Sequence, residues 1–180
     1  MTITETALGL DFTYAKIIDA GKLTFQPEFR QCCEDNACGN YGRNYSCPPD
    51  CGTVEEMRER TLGYEHALVL CTVSHGVDAY NEAESKLLKK DHTQRTQMLI
   101  KQLKERELVP EKGLRILAGP CSLCPTCKIL EQQPCPMEEV RGSCLSAYCI
   151  NVTALAETAG IPISWEGDQV SFFSLYLWKS

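Results

Sequence analysis

Cys121, Cys124 and Cys127 follow one another at C-x2-C-x2-C spacing, and Cys135-Pro136 closes the same stretch after a short loop. Three thiolates in one tight loop reach adjacent corners of a cubane iron–sulfur cluster, and bacterial-type ferredoxins carry a C-x2-C-x2-C-x3-C-P run. The fourth cysteine of that run serves a second cluster, so spacing alone does not assign Cys135 to the centre held by its neighbours. A second group stands far upstream, where Cys32, Cys33, Cys38, Cys47 and Cys51 are interleaved with Gly39, Gly42, Pro48, Pro49 and Gly52. These are turn-forming residues. A chain that turns repeatedly can aim several backbone N–H groups at one anionic centre, which is how protein tunes thiolate and sulfide ligands.

Twelve cysteines in 180 residues could instead be disulfide staples. The opening MTITETALGLDFTYAK has neither a basic n-region nor an apolar h-region of secretory type. A cytoplasmic home is therefore expected, where disulfides are rare and such spacing reads as metal ligation or redox chemistry. Cys71, inside Ala-Leu-Val-Leu-Cys-Thr-Val, reads as a small hydrophobe in a buried strand. Structural zinc usually joins two separate thiolate pairs in one tetrahedron, and a triplet suits that poorly. A four-iron, four-sulfur (4Fe-4S) cluster is the expected cofactor, in one or two copies, with Zn as the alternative metal. His66, His75 and His92 have no ligand-like spacing and read as surface or core residues.

The elements that must carry these loops are mixed. Residues 12–18 fit a short helix or a strand, and 22–25 read as extended chain. Thr53 with Glu56 forms a capping-box signature for a helix beginning at Val54. Residues 66–73 read as a buried strand. Residues 78–107 read as a long charged helix with Leu87, Leu88, Met98, Leu99, Ile100 and Leu103 as its apolar contacts and a solvated polar middle. A short strand over 114–120 delivers Cys121, which puts the triplet at a strand end, a usual place for ligands in such folds. One helical turn is expected at 137–140. A helix over 144–159 stops at Gly160, and 163–178 reads as a hairpin around Gly167-Asp168. The expected architecture is α+β: one mixed sheet with packed helices and two cysteine-rich metal-binding loops, in a single metal-binding domain of residues 1–180.

The residues Arg30, Cys33, Asn36, Cys38-Gly39, Tyr41-Gly42 and Cys47-Pro48-Pro49, with Gly119, Cys121, Cys124, Cys127, Cys135 and Ser143, resemble a family of predicted metal-binding proteins, domain of unknown function 2284. The likeness spans most of the chain and implies metal binding without naming a reaction. The family pattern C-x4-C-x8-C-P-P falls on Cys33, Cys38 and Cys47, leaving Cys32 and Cys51 as additions. Around Cys144 and Cys149 the family tends to Ser-Met-Glu-Ala-Tyr-Gly, so those two cysteines stand outside its pattern.

A formal net charge of −6 opposes a nucleic-acid surface, and no apolar run is long enough to cross a bilayer. No dinucleotide fingerprint, P-loop or nucleophile elbow is present. Two ligand sets are then expected, Cys33, Cys38, Cys47 and Cys51 for one centre and Cys121, Cys124, Cys127 and Cys135 for another. Two fully ligated clusters describe an electron-transfer protein, a small redox component with a redox protein partner. A set that supplies only three thiolates describes an enzyme with an open iron. A zinc-stapled binding module is the third reading, and a single centre shared by both groups remains open.

Overall fold

The computed structural model describes residues 1–164 and 167–180. Five strands make one mixed sheet in the order β1-β2-β5-β3-β4, with β1 Tyr14–Asp19, β2 His66–His75, β3 Leu114–Leu117, β4 Ser143–Cys144 and β5 Gln169–Trp178. Neighbours pair antiparallel except β3 and β4, which run parallel through Ile116↔Ser143 and Leu117↔Cys144. Five helices accompany the sheet: α1 Ile3–Leu8, α2 Arg30–Glu34, α3 Val54–Leu62, α4 Glu82–Glu105 and α5 Val152–Ala159. This is the α+β arrangement expected from the sequence, with the ambiguous 12–18 segment resolved as a strand.

Alternation along β2 and β5 explains why helices cover both faces. Ala67, Val69, Cys71, Phe173, Leu175 and Leu177 join Met57 of α3 and Leu155 of α5 in one apolar cluster. Leu68, Leu70, Tyr176 and Trp178 point the other way, against Ala7 of α1 and Leu99, Ile100 and Leu103 of α4. Successive residues of a strand face opposite sides, so a central strand buried on both reads as a continuous apolar run. Each fully buried Leu or Ile contributes roughly 1.5–3 kcal/mol relative to exposure. Cys71 sits among them with no exposure, and burial pushes its thiol up to about 12.

The caps hold as read at α3, where Thr53 and Glu56 form the reciprocal capping box. Helix α5 ends at Gly160 in the left-handed conformation, φ 63°. Its beginning differs from expectation. Asn151 is the N-cap and accepts from Ala154 N–H, while 143–144 is strand and Cys149 is itself left-handed at φ 58°. A helix cannot run through such a residue, so the predicted 144–159 helix is shortened to half.

Helix α4 also corrects the expectation of a solvated middle. Leu87 and Met98 are exposed, whereas His92, Thr93 and Thr96 are buried. His92 uses both ring nitrogens, Nδ1 with Thr72 Oγ1 at 2.8 Å and Nε2 with Ser174 Oγ at 2.9 Å, and Thr96 Oγ1 meets the same Ser174 hydroxyl at 2.7 Å. Polar residues can face the sheet here because His92 and Thr96 find hydrogen-bond partners on it. The hairpin expected over 163–178 pairs differently: β5 lies between β2 and β3, residues 163–164 are in no strand, and residues 165 and 166 lie outside the described residues.

Candidate metal centre

Beyond the carboxyl end of β3 the chain runs Ala118-Gly119-Pro120 into Cys121, so the cysteine triplet does leave a strand end. Cys121, Cys124, Cys127 and Cys135 line one small concavity, closed by Asn44, Lys128, Pro136, Met137 and Arg141. Burial raises the Cys121 thiol, and Cys135, Cys124 and Cys127 raise it further by proximity. The structure therefore brings all four predicted residues of this set together.

The walls of this loop come from upstream. Tyr45 N–H donates to Cys127 Sγ at 3.4 Å, and Cys121 N–H donates to Ser46 Oγ at 2.9 Å. Asn44 Nδ2 donates to the Cys121 carbonyl at 2.9 Å, and Tyr45 Oη to the Gln133 carbonyl at 2.7 Å. Downstream, Arg141 lies over the Tyr45 ring at 5.6 Å, and Arg115 of β3 donates to the Glu139 carbonyl at 3.0 Å. Gly142 fits against Arg115 Cβ and Leu117, where a side chain would meet atoms at 3.0 Å. The turn expected at 137–140 is present, closed by Arg141 N–H on the Met137 carbonyl.

The second concavity lies alongside. Cys33, Cys38, Cys47 and Cys144 line it, with Cys32, Tyr41, Lys89, Gly119, Pro120 and Ser146. Left-handed turns at Asn36 (φ 54°), Gly39 (φ 75°) and Gly42 (φ 65°) fold the 33–47 loop over it. Glycine takes such conformations without the steric cost that a Cβ brings. Asn36 accepts from Tyr41 N–H, and Gly42 N–H donates to the Pro48 carbonyl.

Of the predicted first set, Cys33, Cys38 and Cys47 meet in this concavity and Cys51 does not line it. Cys51 is 4% exposed, a member of the apolar cluster, with its sulfur 3.3 Å from Met57 Sδ. Cys144 lines the concavity instead. Sequence reasoning set Cys144 aside because it stands outside the family pattern, and placed it at the start of a helix. The signal that could have found it was Asn151, a stronger N-cap followed by Val-Thr-Ala-Leu-Ala, which frees residues 143–150 for other structure.

Electrostatics distinguish this site. Burial pushes Cys33 up to about 11 and Cys47 up to about 12. Nearby Cys144 and Cys38 add to both shifts, while Ser46 bonding lowers Cys47 and Arg30 lowers Cys33. As thiols these groups are protonated at neutral pH; a bound cation reverses that balance and holds them as thiolates. Arg30 is buried, donates to the Gly52 and Ala147 carbonyls at 2.9 Å each, and contacts Met57 Sδ at 3.1 Å. Its Nε has no partner, and among the described residues no carboxylate pairs with it. A buried guanidinium normally needs a counter-charge. A Cys33 thiolate beside it answers part of that need, so the residues present fit a thiolate-held metal centre.

One residue separates the two concavities. Ser46 Oγ accepts from Cys121 N–H on one side and lies 3.8 Å from Cys47 Sγ on the other, with Asn44 Oδ1 at 2.9 Å. Two cysteine-lined cavities thus lie at one end of an α+β sheet. The model of the family described as "Predicted metal-binding protein (DUF2284)" matches residues 16–178, and the chain belongs to that family. No curated protein and no solved structure matches it. No helix among the described residues is long and apolar enough to cross a membrane.

Proposed function

We propose that the protein holds two 4Fe-4S clusters, one in each concavity, and works as a small electron-transfer component. The observation that carries this reading is the gathering of cysteines around two adjacent spaces, five lining the upstream one and four the other. Among the described residues no three Cys, His, Asp or Glu side chains converge as they would on a single ion. A closely spaced cysteine triplet with a fourth thiol nearby suits the corners of a four-iron cluster better than a tetrahedral zinc. When bound, such a cluster takes up and releases one electron at a potential set by its hydrogen bonds, charge and exposure.

The chain's own residues then do the tuning. Tyr45 N–H on Cys127 and Ala147 N–H on Cys144 (3.4 Å each) stabilise negative charge on sulfur, and buried Arg30 does the same for Cys33. Hydrogen bonds to ligand sulfur raise a cluster's potential. Leu123, Leu130 and Met137 are exposed around the 121–135 loop beside Lys128 and Arg141, a surface suited to a redox protein partner. Apolar contact with a charged rim is typical of transient association.

The test is oxygen-free purification with iron, acid-labile sulfide and zinc analysis, followed by reductive titration. The expected result is about eight irons and eight sulfides per chain, with visible absorption that bleaches reversibly on reduction. Zinc without sulfide, or a chromophore that cannot be reversibly reduced, overturns the proposal.

A further inference from the structure

We infer that Cys144 is the fourth thiolate of the upstream centre, completing Cys33, Cys38 and Cys47, and that Cys51 is a core residue. The inference rests on the two-cluster reading and assigns a ligand within it. Cys144 lines the same concavity as the other three, and Cys51 does not.

Position and support both favour Cys144. The parallel pairing Leu117↔Cys144 and the bond from Leu145 N–H to the Leu117 carbonyl at 3.0 Å set it beside Ala118, Gly119 and Pro120, which line the cavity too. Its sulfur accepts Ala147 N–H at 3.4 Å, and Ser146 N–H also supports it. Backbone donors aimed at sulfur are what a ligating thiolate needs. The following turn is locked in place, because Ala147 is fully buried and its carbonyl accepts from Arg30 at 2.9 Å. Arg30 opens α2, the helix that carries Cys33. One guanidinium therefore fixes the two chain segments that supply Cys33 and Cys144.

Cys51 has the opposite surroundings. Its N–H bonds the Cys47 carbonyl at 3.0 Å and its sulfur packs on Met57, inside the cluster that joins α3 to the sheet. To ligate, it would have to leave that packing. Cys32 also lines the cavity; it is exposed, as Cys38 is, and adjoins Cys33 on the short α2. On ligation the Cys144 thiol gives its proton to solvent as the sulfur–iron bond forms, and no electron is exchanged.

The experiment compares wild type, Cys144→Ser, Cys51→Ser and Cys124→Ser, all purified without oxygen, by iron and sulfide content and electron paramagnetic resonance. Cys144→Ser is expected to lose the upstream cluster, about half the iron, or to leave a three-iron signal in the oxidised protein. Cys51→Ser is expected to match wild type, and Cys124→Ser to damage the other cluster. Full iron with an unchanged spectrum in Cys144→Ser overturns the inference while leaving two clusters standing, as does loss of half the iron in Cys51→Ser. Wild-type protein without sulfide overturns the underlying reading and the inference together.

A measurement on wild type guards against misfolding of Cys144→Ser. Each cysteine is alkylated in the loaded protein and again after the metal is chelated away, then read by mass spectrometry. Cys144 is expected to gain label on metal removal with Cys33, Cys38 and Cys47, while Cys51 stays protected like strand-buried Cys71. Labelling of Cys51 but not Cys144 reverses the assignment.

Discussion

The two thiol groups differ in how the chain builds them. Cys121 to Cys135 come from one continuous loop whose backbone turns about its own centre, and only the walls Asn44, Tyr45 and Ser46 are borrowed. The upstream group draws on α2, the 36–47 loop and β4, segments about a hundred residues apart, and depends on a buried arginine to hold them together. A contiguous set needs little from the fold, whereas a dispersed one is only as good as the tertiary contacts that align it.

The sharpest way to break that contrast is Arg30→Met. One buried and one part-buried carbonyl lose their donor and the tie between α2 and the 147 turn goes, a destabilisation of about 2–4 kcal/mol. The upstream centre should be lost and the 121–135 centre retained, leaving about half the iron. Loss of both, or of neither, in folded protein would show that the two sites do not differ as described.

Acid should separate the sites next. His92, buried and bonded to Thr72 and Ser174, has its pKa lowered from 6.5 to about 3, by burial first and by Arg95 second. Below pH 6.5 the unfolded chain takes up a proton that the folded chain refuses until about pH 3, so stability falls as pH drops through this window. Between pH 7 and pH 5 the loss is about 2 kcal/mol in urea unfolding of metal-free protein. Helix α4 also carries Lys89, which lines the upstream cavity alone of the two. Cys47 should therefore become reactive to thiol reagents at milder acid than Cys121; simultaneous exposure would count against it.

Ser46→Ala tests the shared wall. It leaves the Cys121 N–H without its acceptor, at a cost of about 1–2 kcal/mol, and removes the hydroxyl beside Cys47. Shifts in both centres' reduction potentials are expected, since hydrogen bonding at the sulfurs sets them; a shift in one alone would mean the wall serves a single site. The smallest effect belongs to Tyr45→Phe, which removes the 2.7 Å bond to the Gln133 carbonyl at an exposed position. About 0.5–1 kcal/mol and unchanged iron are expected, because the loop's thiols are placed by its own turns.

The same contrast explains what could be read from the residues alone. The Cys121 set was legible because its spacing is local, and α3, β2 and the stop at Gly160 were legible because caps and apolar runs are local too. Cys144 was not, since nothing in Ser143-Cys144-Leu145 indicates a two-residue strand pairing with Leu117. The polar face of α4 misled for a related reason. His92 and Thr96 find their partners on β2 and β5, and a hydrogen bond across the fold leaves no trace in hydropathy. Cys51 was grouped with the upstream set although the family pattern leaves it out, and its packing against Met57, six residues on, is a tertiary contact that cysteine spacing does not reveal.

The bond from Arg30 to the Ala147 carbonyl also sets an order of events during synthesis. A ribosome makes residues 30–51 early, yet that stretch has no finished shape until residue 147 has emerged, some hundred residues later. Its cysteines must wait in the open while the later loop, made in one short burst, can close almost at once. The older nest thus waits longest for its missing segment, and the interval before Ala147 arrives is when its thiols are most open to the wrong metal or to oxidation.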